Sequence, residues 1–194
     1  MNSPTDKQIH RWVEQIAESH EEAFNSLFRA LYPQLLQFSV RYTRNKAVAA
    51  DLTQDAFVIL WNKRQEMKQL DSPKAYLYRI VRNNSLNYIR DHSSRTTGLE
   101  AIKNEEPRVE ISDEEEQEDL QLHMLKGWIR ELPDRRREAF ELSRFEGLDH
   151  DEIAEVMGIS SNTVNNHIVA ALDYLRECHR EYRNEANSKA QGYD

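Results

Sequence analysis

Two polar stretches of this 194-residue chain carry side chains that could do chemistry, and in both the chemistry is recognition, with no bond made or broken. The first offers Ser161, Asn162, Thr163, Asn165, Asn166 and His167, which are short, polar and mostly uncharged. An asparagine amide donates and accepts at once, so it can pair bidentately with adenine, a contact that carries roughly 1–3 kcal/mol of discrimination. The second runs from Ser72 to about His92 and interleaves Lys74, Arg79, Arg82 and Arg90 with Tyr76, Tyr78, Asn83, Asn84 and Asn87. Cations that track phosphate, rings that stack and amides that read base edges suit single-stranded or distorted nucleic acid. A solvated face with snorkelling arginines uses the same residues. Nothing in the sequence assembles a catalytic centre: the seven histidines are scattered, and no Gly-rich phosphate loop or nucleophile–base motif is present. With Cys178 as the single cysteine, neither an internal disulfide nor a thiolate zinc site can form, and no metal or cofactor is expected.

The first stretch belongs to a pair of short amphipathic helices. Asp149 can cap the earlier helix and Glu152 can close the box three residues on. Ile153, Ala154, Val156 and Met157 supply its apolar face, and Gly158 stops it, because glycine enters a left-handed cap without a Cβ penalty. Ile159 plugs the turn, and Ser160 or Ser161 caps the second helix. Val164, Ile168, Ala171, Leu172 and Leu175 then share one face of that helix. Small Ala154 allows close approach of two steeply crossed helices. These features describe a helix-turn-helix, the unit that lays its second helix in the DNA major groove, against the plainer alternative of a helical hairpin. Lys and Arg are absent from Asp149 until Arg176, a poor grip on phosphate that points to something else holding the module on DNA.

The second stretch needs a helix whose start is marked by Ser72-Pro73, an N-cap followed by proline at the first helical position. Its spacing predicts that Leu77, Ile80, Val81, Asn84 and Tyr88 face inward, with Arg79, Arg82, Asn83, Leu86 and Arg90 opposite. Before it, residues 5–18 predict a short helix with Ile9, Trp12, Val13 and Ile16 inward. Ser19-His-Glu-Glu22 reads as a capping box for the next helix, whose stripe is Phe24, Leu27, Phe28, Leu31, Leu35, Phe38 and Tyr42, with a kink expected at Pro33. A helix from Lys46 to about Glu66 follows, with Ala49, Leu52, Ala56, Ile59 and Leu60 on one face. Its other face presents Asp51, Gln54, Asp55 and Val58, flanked by Phe57 and Trp61. A small domain can hardly bury a helix all round together with two carboxylates, so this face reads as an acidic-aromatic interaction surface.

Charge locates the boundaries. Residues 100–119 hold ten acids and two bases, which accounts for the whole net charge of −8, whereas residues 1–99 carry fourteen bases and ten acids. The acidic tract, dense from Asp113 to Asp119, has no apolar period and predicts a disordered, self-repelling linker. Few Gly and Pro, and helical periods elsewhere, predict an all-α chain: two small helical domains joined by a flexible acidic linker, the second a helix-turn-helix domain. The boundaries read from the pattern are residues 1–97, a linker at 98–119, a second domain at 120–183 and a polar, frayed tail at 184–194. No run of 18 apolar residues and no basic-then-apolar leader is present, so the expectation is a soluble, cytoplasmic protein.

Taken together, the chain resembles the extracytoplasmic-function (ECF) sigma factors, small bacterial transcription-initiation subunits. Asp51-Leu-Thr-Gln54-Asp55-Ala-Phe57 followed by Leu60-Trp61 is similar to the segment that docks on the clamp helices of the largest RNA polymerase subunit. Ser72 to Asn83 looks like the helix that reads and melts the minus-ten promoter element. Leu132 to Phe140 and the helix-turn-helix look like the domain that reads the minus-thirty-five element. The resemblance implies a non-catalytic factor that binds core polymerase through Asp51, Gln54, Asp55, Phe57, Val58 and Trp61. It implies that Lys74, Arg79, Arg82 and Arg90 hold minus-ten phosphates while Tyr76, Asn83, Asn84 and Asn87 contact unstacked bases, Asn84 serving either a base or the core. The loop from Gln65 to Asp71 would pocket a flipped base, and the acidic linker would thread toward the active-site cleft and RNA exit channel. Ser161, Asn162, Thr163, Asn165, Asn166 and His167 would read the minus-thirty-five element, although Asn165 stands where the family often has a basic residue. Core polymerase, promoter DNA and a membrane-bound anti-sigma factor are the implied partners. A stand-alone helix-turn-helix regulator is the alternative, and it calls for a sensor or receiver domain and a phosphate-gripping recognition helix.

Overall fold

In a computed structural model, residues 4–93 and 113–191 are described, with side chains for residues 4–92 and 122–184. The described residues form eight α-helices and one short 3-10 turn, and contain no strand. The chain divides into two compact units, Met1–Glu100 with Ala154–Gly158, and Ala101–Ile153 with Ile159–Asp194.

The first unit is built on helices α1 (Asp6–Ala17), α2 (Glu21–Thr43), α3 (Lys46–Asn62) and α4 (Pro73–Ser93). Helix α2 packs against the other three, and α3 packs against α4. Leu27, Leu31, Leu35 and Phe38 line the inner face of α2 and are all but inaccessible, as are Ile9, Val13 and Ile16 of α1. A fully buried side chain of this size contributes about 1.5–3 kcal/mol, so this stripe is the main cohesive element of the unit. Helix α2 continues through Pro33, whose ring lies on the exposed side. The Ser19–Glu22 capping box does not form. Ser19 instead adopts a left-handed conformation (φ 68°) after α1, its hydroxyl accepts from Arg64 Nε at 3.1 Å, and His20 takes the N-cap position without a side-chain cap bond.

Helix α3 starts on Asn45, whose Oδ1 accepts from the N–H groups of Ala47 and Val48 at 3.0 and 3.2 Å. It ends at Asn62, earlier than its periodicity predicts, because the following turn is anchored elsewhere. Gln65 Nε2 donates to the Ala17 carbonyl at 2.6 Å, Met67 is buried, and residues Glu66–Gln69 form the 3-10 turn against α1. His10 straps the far end: its ring nitrogens lie 2.8 Å from the Asp6 carbonyl and 3.0 Å from that of Asp71. Helix α4 then opens on Ser72, whose Oγ accepts from the Ala75 N–H at 3.1 Å.

The second unit contains α5 (Asp113–Glu131), α6 (Asp134–Arg144), the residues of α7 (His150–Met157) through Ile153, and α8 (Ser161–Gln191). Helices α5 and α6 both pack against α8, around a cluster of Ile129, Leu132, Phe140, Ala171 and Leu175. Tyr174 of α8 donates to the Glu131 carboxylate of α5 at 2.6 Å, a bond that raises the phenol above its ordinary range. Two expectations are corrected. The acidic tract Asp113–Asp119 forms the opening turns of α5 rather than a disordered linker. The tail is helical as far as Gln191. The rest of the expected linker lies outside the described residues.

Candidate nucleic-acid and partner interfaces

The outer face of α3 is a stripe of Asp51, Gln54, Asp55 and Val58, all exposed, Val58 at 56%. Their i, i+3, i+4, i+7 spacing puts them on one side of the helix. Phe57 is not part of it. At 1% exposure it fills an aromatic cluster, its ring 4.7 Å from Phe28 and 6.2 Å from Phe24, so it shapes the face from beneath and cannot touch a partner. The sequence signal misleads because Phe57 is adjacent to Val58 but turned by about 100° around the helix. Trp61 is half-buried, edge-on to Phe24 at 5.2 Å and capped by the Arg64 guanidinium 5.0 Å from its centroid. Its remaining surface borders the stripe.

Helix α4 is rotated relative to the predicted arrangement. Its buried residues are Pro73, Ala75, Leu77, Tyr78, Val81, Arg82 and Ser85, with Ile80, Asn84 and Tyr88 only half-buried. Two corrections follow. Arg82, expected to hold phosphate, is 7% exposed and belongs to the interior. Tyr78 packs edge-on against Phe38 at 5.1 Å instead of joining the outer aromatics. The cause is a polar pair that sequence reasoning missed: the Ser39 and Ser85 hydroxyls meet at 3.0 Å in the core, and Ser85 Oγ also bonds the Val81 carbonyl at 2.8 Å. A serine paired in this way counts as an inward residue. Asn83, Asn87 and Arg90 are exposed, Lys74, Tyr76 and Arg79 partly so, and the Arg79 guanidinium lies 5.1 Å from the Tyr76 ring centroid. Asn84 lies with Asn87 in a groove facing α3, which also includes Asp55 and Val58.

In the second unit the capping box forms as read. Asp149 Oδ1 accepts from the N–H groups of Asp151 and Glu152, both at 2.9 Å, and Glu152 Oε2 accepts from the Asp149 N–H at 2.8 Å. Gly158 takes φ 66°, where an L side chain is strained, and Ser160 caps α8 by accepting from the Thr163 N–H at 3.2 Å. Val164, Ile168, Ala171 and Leu175 face inward. Of the six predicted reading residues, Asn162, Asn165 and Asn166 are exposed and His167 half-exposed on the first turns of α8. Ser161 and Thr163 have local work: the Ser161 hydroxyl donates to the Asp151 carboxylate, and the Thr163 hydroxyl pairs with that of Ser160 at 2.8 Å. They fix the helix start and leave the amides to project.

A further feature of this unit carried no sequence signal. Leu122 and Leu125 of α5 are exposed, and with Trp128, Leu172 and Tyr182 they line an apolar groove of about 860 Å³ between α5 and α8, edged by Arg176 and Arg183. The spacing of these residues reads as core, and only the packing of α5 on α8 shows that the groove stays open. Among the described residues no group of His, Cys, Asp and Glu could hold a metal ion, and no helix is long and apolar enough to cross a membrane.

Residues 27–95 match the family described as Sigma-70 region 2, and residues 122–175 match Sigma-70, region 4. The chain is 28% identical over 153 residues to RNA polymerase sigma factor YlaC of Bacillus subtilis, covering 75% of this chain and 86% of that one. It is 23% identical over 172 residues to the ECF RNA polymerase sigma-E factor of Haemophilus influenzae, covering 84% and 90%. The chain belongs to the ECF sigma factors. As a sigma factor it is a transcription-initiation protein, of a family that binds core RNA polymerase and promoter DNA. The region 2 match covers the whole of α4, and the region 4 match runs from within α5 to the first half of α8. Two solved structures share the fold. One is CnrH, in complex with the cytosolic domain of CnrY (TM-score 0.62, 20% identity, 90% of this chain and 98% of that one). The other is RpoE of Bartonella quintana, in complex with the anti-sigma factor NepR (TM-score 0.59, 22% identity, 81% and 96%).

Proposed function

We propose that this sigma factor holds core polymerase through the α3 stripe of Asp51, Gln54, Asp55 and Val58 with the edge of Trp61, and melts the minus-ten element with α4. The observation that carries this reading is the partition of exposed side chains. Carboxylates and a valine lie on α3, cations and amides on α4. Carboxylates repel phosphate, so the α3 stripe suits protein, while Lys74, Arg79 and Arg90 attract the backbone and Tyr76, Asn83 and Asn87 meet unstacked bases. Flipping a base costs a few kcal/mol of unstacking, which weak A/T-rich steps minimise. Arg82 acts from the interior by holding α4 in place. Asn162, Asn165, Asn166 and His167 read the minus-thirty-five element, and polymerase supplies the grip that the part of α8 before Arg176, without Lys or Arg, lacks.

Residues 1–97 are thus the clamp-binding and minus-ten domain and residues 120–183 the minus-thirty-five domain, with the acidic stretch between them as connector. The factor performs no catalysis of its own and works in the cytoplasm, where polymerase and promoter meet. An anti-sigma factor is the natural antagonist, since RpoE of Bartonella quintana is solved with the anti-sigma factor NepR. The open apolar groove between α5 and α8 offers a partner helix an anchoring surface.

The test is a comparison of two double variants in core-polymerase binding and in footprinting of the assembled holoenzyme. Asp55→Ala with Val58→Asp is expected to lower core affinity at least tenfold while the chain stays folded. Asn165→Ala with Asn166→Ala is expected to keep core affinity and lose protection upstream at minus thirty-five. Sequence-specific protection by the free chain, unchanged by the first pair of substitutions, would contradict the reading and favour a stand-alone regulator.

A further inference from the structure

Helix α4 has two outward sides, and they differ in chemistry. Tyr76, Arg79, Asn83 and Arg90 share one stripe by helical spacing. On the other side Asn84, Tyr88 and Asp91 line a groove of about 470 Å³ shared with Asp55, Val58 and Ile59 of α3. No lysine or arginine lines this groove, whose charged walls are the carboxylates of Asp55 and Asp91. Such walls repel a nucleic-acid backbone and attract a cationic side chain. The wall on the α4 side is firm, because Tyr88 and His92 stack at 4.0 Å and a ring nitrogen of His92 bonds the Tyr88 carbonyl at 2.9 Å. The groove also runs directly into the α3 stripe, since Asp55 and Val58 belong to both.

We propose that this groove is a second part of the polymerase contact, extending the docking surface from α3 onto the C-terminal half of α4. Its occupant is a polymerase helix that sets an apolar side chain over Ile59 and Val58 and a lysine or arginine between Asp55 and Asp91. The inference rests on the reading of the α3 stripe as the polymerase face. It reassigns Asn84 and Asn87, which both line the groove, from base contact to the protein interface, and makes α4 a blade with polymerase on one side and melted promoter on the other. Asp91 links the two sides, because its carboxylate also pairs with Arg90 Nε at 3.2 Å.

Affinity of the full chain for sigma-free core polymerase separates the possibilities, measured for Asp91→Asn, Asp91→Lys, Arg90→Ala and Val58→Asp, with thermal melting to confirm folding. The expected result is a loss of about threefold for Asp91→Asn and tenfold or more for Asp91→Lys, steepest at low salt. Arg90→Ala is expected to bind core normally and to impair only promoter opening, which shows that Asp91 does not act merely through Arg90. If Val58→Asp loses core binding while folded Asp91→Lys retains it, the groove is not a polymerase contact and the α3 reading stands. If neither variant loses core binding, the α3 reading itself fails. An Asp91→Lys variant that binds core normally but opens promoters poorly would place the groove against DNA and likewise overturn the proposal.

Discussion

Adjacent residues Phe57 and Val58 provide a sharp test of how the polymerase face is built. Phe57 is 1% exposed and its ring lies 4.7 Å from Phe28, 6.2 Å from Phe24 and 6.4 Å from Tyr32. Truncating such a phenylalanine to alanine costs about 3–5 kcal/mol through lost transfer energy and the cavity left behind. That is a large share of the roughly 5–15 kcal/mol that holds a domain together. With a urea dependence of about 1–3 kcal/mol per molar, Phe57→Ala is expected to lower the unfolding midpoint of the first unit by roughly 2 M. Val58 is 56% exposed, and Val58→Asp is expected to leave stability within about 0.5 kcal/mol. Both variants lose core-polymerase binding, one because the face collapses and the other because the face is altered. Fluorescence of Trp12 and Trp61 during urea unfolding, in a Trp128→Phe background, reports the relevant transition. A Phe57→Ala midpoint indistinguishable from that of Val58→Asp would refute the assignment of Phe57 to the interior.

Other expectations concern the pieces that fix the recognition helices. Asp149→Ala removes both acceptor bonds of the capping box and is expected to destabilise the second unit by about 1 kcal/mol, read as a lower melting temperature, with loss of minus-thirty-five protection near that temperature. Gly158→Ala meets no neighbouring atom but must hold φ 66°, so a penalty of about 1–2 kcal/mol comes from backbone strain alone, and Gly158→Asn should recover part of it in the same melting assay. Ser39→Ala is expected to cost no more than about 1 kcal/mol in chemical denaturation, because the Ser85 hydroxyl keeps its bond to the Val81 carbonyl.

What was legible in the sequence was mostly what periodicity and caps encode. The stripes of α1 and α2, the Asp149–Glu152 box, the Gly158 stop and the inward face of α8 all follow from residue type and spacing. The misplacements share a cause, which is that burial of a polar or aromatic residue is decided by a partner far away in sequence. Ser85 is inward because Ser39 of α2 faces it, and this turns Arg82 inward and Asn84 toward α3. Phe57 is inward because Phe24 and Phe28 complete a cluster around it. Ser161 and Thr163 read as contact residues, yet their hydroxyls are spent on the start of α8. The acidic tract misled differently: like charges argue for an extended chain, whereas a segment continuous with a longer helix is carried by the packed turns that follow.

The central claim is tested most directly by run-off transcription on a library of promoter fragments with sigma-free core polymerase, using the intact chain beside a Trp61→Ala, Asp55→Ala variant. Discrete, sequence-specific starts are expected with the intact chain and none with the variant. Absence of any start with the intact chain, together with sequence-specific DNA binding by the free protein, would contradict it.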